Sequence, residues 1–257
     1  MRSDAGRALI AGAVVLVALA VAWMVPIVAV AVVWPALLVL PGWAMLVIGL
    51  AVLVSLEQTR AFDRAIIDAV RTPAIQGLAW VLGPITELGS TWAIILMSAV
   101  VFVFAAAIGP WRHGLIGGVV IGLASAANST FKLLIARERP ELFEPVVVER
   151  GFSFPSGHSA LGMVAYGILA VLVHRSRLPL AARRTIIGLL AVLIVLIGLS
   201  RVWLGVHFPT DVLAGWATGG VIVAVYVAFT RRVSPEPAEG AVDADPAAPR
   251  SDPPAPG

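Results

Sequence analysis

The sequence has no cysteine, only one lysine (Lys132) in 257 residues, and only 13% charged residues. The first absence excludes disulfides, thiolate chemistry and cysteine-based zinc sites, although it names no compartment. The second sets Lys132 apart: every other basic residue is arginine, so this ammonium is not one of many interchangeable surface lysines. The scarcity of charge, with 60% hydrophobic residues and a mean hydropathy of +0.96, excludes a soluble globule. The apolar residues come in several runs, and each helical crossing of the bilayer needs about 20 of them. The chain therefore reads as an all-α, polytopic membrane protein.

The net charge of +3 could suggest a nucleic-acid partner, but the arginines sit in short clusters between apolar runs and not on one face, which argues against one. Arg2 and Arg7 precede an apolar run as in a signal peptide, yet the run continues far beyond a signal's short core, so an uncleaved span is the better reading. No charge occurs between Ala8 and Leu56, and about 49 residues at about 1.5 Å each give about 74 Å of helix, enough for two crossings. Pro35 and Pro41-Gly42 offer places to break. Residues 1–56 thus form an N-terminal membrane segment, either two spans (8–33 and 37–56) or one span with a re-entrant or interfacial helix.

Residues 57–84 mix Arg60, Asp63, Arg64, Asp68 and Arg71 with apolar positions at helical spacing, the pattern of an amphipathic interfacial helix. Spans are expected at 86–109, 114–132, 156–173, 184–201 and 208–230, within a main membrane domain of residues 57–233. Gly114, Gly118 and Gly122 make a small-xxx-small ridge for helix packing. Residues 234–257, rich in Pro, Ala, Asp and Glu, read as a disordered cytoplasmic tail. Trp111-Arg112-His113, the cluster from His174 to Arg177 with Arg183-Arg184, and Arg231-Arg232 fall on one side. The positive-inside rule makes that side cytoplasmic and takes His113 and His174 as topology residues.

The remaining polar groups gather in three stretches on the opposite side: K-x6-R-P from Lys132 to Pro140, P-S-G-H from Pro155 to His158, and S-R-x5-H-x3-D from Ser200 to Asp211. Lys132, Arg139 and Arg201 supply the cations that a phosphoryl group needs around its oxygens. Ser156 and Gly157 stand at an expected helix start, with a serine cap, free backbone N–H groups and a glycine that lets an anion approach. His207 and Asp211 are four apart at the start of the last span, so the carboxylate can hold one imidazole nitrogen and leave the other to attack phosphorus. His158 is then placed to protonate the leaving oxygen.

Rival readings exist for each part. Lone cations near span ends often snorkel to the interface, His158 alone could cap a helix, and His207 with Asp211 could be a structural pair or part of a proton relay. A metal held by His158, His207 and Asp211 would sit awkwardly beside three cations. Glu138, Glu141, Glu144 and Glu149 read as a solvated loop face. Phe152 and Phe154 either line a lipid entry or anchor their loop.

Together the three motifs resemble those of the type 2 phosphatidic acid phosphatase (PAP2) family, membrane relatives of the vanadium haloperoxidases, over residues 60–231. The resemblance implies a six-helix transmembrane bundle with no catalytic metal and no cofactor. It also implies phosphate held by Lys132, Arg139, Ser156, Gly157 and Arg201, His158 as general acid, and a phosphohistidine at His207 supported by Asp211. The substrate and partner would be a lipid phosphate or diphosphate in the bilayer: a polyprenyl diphosphate such as undecaprenyl diphosphate, phosphatidate or phosphatidylglycerol phosphate. A phosphotransferase using the same residues, or a transporter or scaffold that binds phospholipid without cleaving it, are the alternatives. The arginine bias and Ala/Val richness suggest a GC-rich bacterial source, in which an outward-facing site would serve the cell envelope.

Overall fold

The computed structural model describes residues 36–70, 79–108, 111–140 and 149–233, and all the regular structure among them is helical. The expected span at 8–33 and the tail lie outside the described residues. The helices are α1 (Ala36–Ser55), α2 (Arg60–Val70), α3 (Ala79–Glu87), α4 (Thr91–Ile108), α5 (Trp111–Ile135), α6 (Gly157–Arg175), α7 (Leu180–Trp203) and α8 (Pro209–Val233). The last five are long and apolar enough to cross a membrane, and the end of α1 with α2 makes a sixth candidate, bent by 94°. The chain is thus a multi-pass membrane protein with five candidate spans among the described residues, and six if the bent pair is one span.

The α1–α2 bend does not fall where the prolines pointed. Helix α1 runs through Pro41, as spanning helices can when neighbouring groups satisfy the freed carbonyl. The chain turns instead at Glu57, whose φ of 59° lies in the left-handed region that stops a helix. Helix α2 is amphipathic as expected, but its inner face is more than an interfacial stripe. Asp63 and Ile67, one turn apart, are both fully buried.

Helix α6 is the axle of the bundle, buried nearly all round and packed against α4, α5, α7 and α8. Lipid offers hydrocarbon as good as any side chain, so spanning helices associate by close van der Waals fit, and small residues allow it. A methyl group at Gly215 would stand 2.7 Å from the Ser156 carbonyl oxygen, and one at Gly219 would stand 2.7 Å from the Ala160 carbonyl oxygen. These two glycines bring α8 against the first turns of α6. The expected glycine ridge on α5 is only partly used: Gly114 abuts the α4 backbone and Gly117 abuts Val101, while nothing approaches Gly118 or Gly122. That outer face of α5 also exposes Leu115, Val119 and Leu123, which suits lipid.

Candidate active site

The up-and-down order puts one end of every long helix in a single layer: the C-termini of α5 and α7, the N-termini of α6 and α8, and the α3–α4 turn. Lys132 lies in the last turn of α5. Ala136, with a φ of 48° and its N–H bonded to the Lys132 carbonyl, closes that helix and frees the chain to run extended through Arg137 and Arg139. Ser153 then ties the two loop arms together, its hydroxyl donating to the carbonyls of Arg137 (3.2 Å) and Glu138 (2.8 Å). Phe154 is buried with Val54 of α1 and Ala214 of α8, so it anchors its loop. The Phe152 carbonyl accepts from Lys132 Nζ at 2.9 Å.

All eight residues singled out by the motifs come together here. Arg139 donates to the carbonyls of Gly151 and Val206 and lies 3.5 Å from His207 Nε2. Arg201, almost fully buried at the end of α7, donates to Thr86 Oγ1 at 2.9 Å. Lys132 feels the charges of Arg139, Arg201 and Asp211, and His158 those of Glu87, Lys132 and Arg139. Three cations so close need an anion, and Glu149 supplies one: its carboxylate bridges Arg201 and Arg139, at 3.1 Å from the latter. Glu149 is thus part of the site, not a solvated loop face as its run of acids suggested.

Ser156 occupies the N-cap position of α6, but its side chain makes no capping bond. Its hydroxyl accepts from Ser159 Oγ and its N–H donates to the Asp211 carbonyl, which fastens the starts of α6 and α8 to each other. The amides of Gly157, His158 and Ser159 begin the helix and have no intrahelical acceptor, the first amide with one being that of Ala160, which donates to the Ser156 carbonyl. Gly157 passes close to Asn128, whose Nδ2 would lie 3.1 Å from an added methyl.

His207 is buried in the α7–α8 turn. Its Nδ1 lies 3.4 Å from Asp211 Oδ2, and its Nε2 faces Arg139. Burial pushes the imidazole down to about 3, helped by Arg201 and Arg139 and opposed by Asp211. The ring is therefore neutral across the physiological range and offers Nε2 as a lone-pair donor. Arg139 is also lowered by burial, with Asp211 pulling the other way.

Two groups escaped the motif reading. Arg137 donates to Asp211 Oδ1 at 2.6 Å and to Asp63 Oδ2 at 2.7 Å, and its guanidinium lies over the Phe208 ring at 4.0 Å. Asp63 also accepts from the N–H and the hydroxyl of Thr210. The signal for Asp63 was present: it shares a helical stripe with Ile67 and Val70, and a carboxylate on an apolar stripe asks for a buried cation.

The model of the PAP2 superfamily matches residues 113–234. A phosphatidylglycerophosphatase B of Bacillus subtilis is 32% identical over 189 residues, covering 72% of this chain and 91% of that protein. An undecaprenyl-diphosphatase of Sulfolobus acidocaldarius is 25% identical over 173 residues, covering 65% of this chain and 77% of that protein. The crystal structure of a transmembrane PAP2 type phosphatidylglycerolphosphate phosphatase from Bacillus subtilis gives a TM-score of 0.66 at 30% identity, covering 76% of this chain and 98% of that one. The chain belongs to the PAP2 superfamily. It is a membrane lipid phosphatase, a hydrolase of phosphoric monoesters or diphosphates.

Proposed function

We propose that this enzyme removes the terminal phosphate of a phosphatidylglycerol phosphate-like lipid at the extracytoplasmic face of a bacterial membrane, through a phosphohistidine at His207. One observation carries the chemistry: a buried, neutral imidazole stands between a carboxylate 3.4 Å from Nδ1 and an arginine 3.5 Å from Nε2. The lipid class is supported by the most extensive of the reported likenesses, to proteins named for that substrate.

In this reading Lys132, Arg139, Arg201 and the amides at the start of α6 hold the phosphate, whose oxygens take the place of the Glu149 carboxylate. Nε2 of His207 bonds to phosphorus as the P–O bond to the lipid breaks. Positive charge develops on the imidazole and Asp211 stabilises it. His158, largely buried at the start of α6, takes up a proton as the phosphate dianion binds beside it and gives that proton to the leaving lipid oxygen. It then takes a proton from water as that water attacks phosphorus and the N–P bond breaks. No step requires a metal.

The test is phosphate release by detergent-purified wild type, His207→Ala and His158→Ala from phosphatidylglycerol phosphate, phosphatidate and a polyprenyl diphosphate, with a chelator present. The expected result is release by wild type, fastest from the first lipid, and a fall of about a thousandfold or more in His207→Ala. Ordinary turnover by His207→Ala would overturn the assignment. Fastest release from the polyprenyl diphosphate would move the substrate to the class of the Sulfolobus relative, and phosphate recovered on a lipid or sugar acceptor would make the enzyme a transferase.

A further inference from the structure

Asp211 has two oxygens with different neighbours. Oδ2 accepts from the Phe208 N–H at 2.9 Å and faces His207 Nδ1. Among the described residues Oδ1 accepts only from Arg137, at 2.6 Å. Arg137 in turn reaches Asp63, and Asp63 holds Thr210, the residue next to Asp211, through both its N–H (3.0 Å) and its hydroxyl (2.8 Å). Arg137 itself donates to that hydroxyl and to Thr59 Oγ1. The two carboxylates are wholly buried and the guanidinium side chain is only 12% exposed.

Charge in such a place is costly unless it is balanced. Asp63, Asp211 and Arg137 together carry one net negative charge, and Arg139, 3.5 Å from His207 Nε2, sets a positive charge against it across the ring. As phosphorus bonds to Nε2 the imidazole becomes positive and gains more from the Asp211 carboxylate than it did when neutral, which favours the reaction. The guanidinium also grips Oδ1 and so fixes the carboxylate with Oδ2 turned to Nδ1, the kind of support that outer partners give to a reacting group.

We propose that Arg137 and Asp63 are positioning residues for the reaction, a buried chain from α2 through the loop after α5 to Asp211, which makes the short helix α2 part of the catalytic apparatus. This proposal rests on His207 as the nucleophile. It also gives the docking of α2 against α7 and α8 a role, since there Asp63 reaches Thr210 and Arg137.

The experiment measures kcat and KM for wild type, Asp63→Asn, Arg137→Lys and the double variant on the best substrate of the wild type. Asp63→Asn keeps the shape and removes the charge. It should lower kcat about tenfold with KM changed less than twofold, because the phosphate-holding cations are untouched. The double variant should lose little more than Arg137→Lys alone, since Asp63 acts through Arg137. If Asp63→Asn does not purify as a folded protein, Asp63→Glu, which displaces the carboxylate by one carbon, takes its place with the same expected split. Wild-type kcat in the Asp63 variant, multiplying losses in the double variant, or a rise in KM without a fall in kcat would each overturn the positioning role while leaving His207 in place. A His207→Ala enzyme that still turns over would overturn both.

Discussion

Glu149 shows how much the identity of one anion decides. Its carboxylate sits between Arg139 and Arg201, where a phosphoryl group would be held, so it competes with substrate and with phosphate analogues. Glu149→Gln should therefore tighten inhibition by orthovanadate by severalfold, read as Ki; an unchanged or weaker Ki would remove Glu149 from the anion site. His207 gives a second residue-level prediction. Its lowered pKa means that the unfolded chain binds a proton between about pH 6.5 and 3 that the folded protein refuses, so stability present above 6.5 is lost as pH falls. At pH 5 this costs about 2 kcal/mol for a histidine moved from 6.5 to about 3. The thermal midpoint of wild type should then drop between pH 7 and 5 by more than that of His207→Gln; equal drops would contradict a buried neutral imidazole. The residues gathered at the candidate site were legible because charged and imidazole side chains are rare inside membrane spans and their spacing places them at helix ends. Arg137 was not legible beside Arg139. The two have the same chemistry two residues apart, and only the turn at Ala136 and the docking of α2 decide which meets a carboxylate and which meets the histidine.

At the level of elements, bilayer thickness made the spans readable. The five expected spans correspond to α4 to α8 within a few residues, because the hydrocarbon fixes their length. The faces of those helices were harder to read. Glycines recur on every side of α5 and α8, and a small-xxx-small pattern does not say which side has a partner. The structure uses Gly114 and Gly117 on α5, and Gly215 and Gly219 on α8. Gly219→Leu should accordingly force α8 away from Ala160 and Met163, costing about 1–3 kcal/mol and also displacing Asp211 from the start of α6. Its thermal midpoint and kcat should both fall. Gly118→Leu, with nothing within 4 Å of the added carbon, should leave both unchanged. Equal sensitivity of the two variants in a melting assay would contradict this division of faces.

For the whole molecule, the helix order brings every motif to one end and the clusters at Arg112, Arg175 to Arg184 and Arg231-Arg232 to the other. The proposed orientation puts the arginine-rich end in the cytoplasm. The lack of cysteine makes this testable with single cysteines: in spheroplasts, Arg150→Cys, on the exposed loop by the site, should react with a membrane-impermeant maleimide. Arg177→Cys, exposed between α6 and α7, should react only after permeabilisation. The reverse pattern would turn the site inward. The family resemblance implied a six-helix bundle, and residues 8–56 are the part whose form the sequence left open; of these α1 is described, and it meets the amphipathic α2 at a 94° bend. The course of α2 depends on the long-range pairing of Asp63 with Arg137, which no local pattern encodes.

The central claim, a covalent phosphohistidine at His207, is tested most directly by mixing enzyme with substrate labelled with ³²P in its terminal phosphate. The reaction would be quenched within one turnover and the labelled residue located by peptide mapping. An acid-labile phosphate on His207 in wild type, absent from His207→Ala, is the predicted result. Wild-type turnover with no phosphoenzyme at any quench time, or label on another residue, would contradict the account.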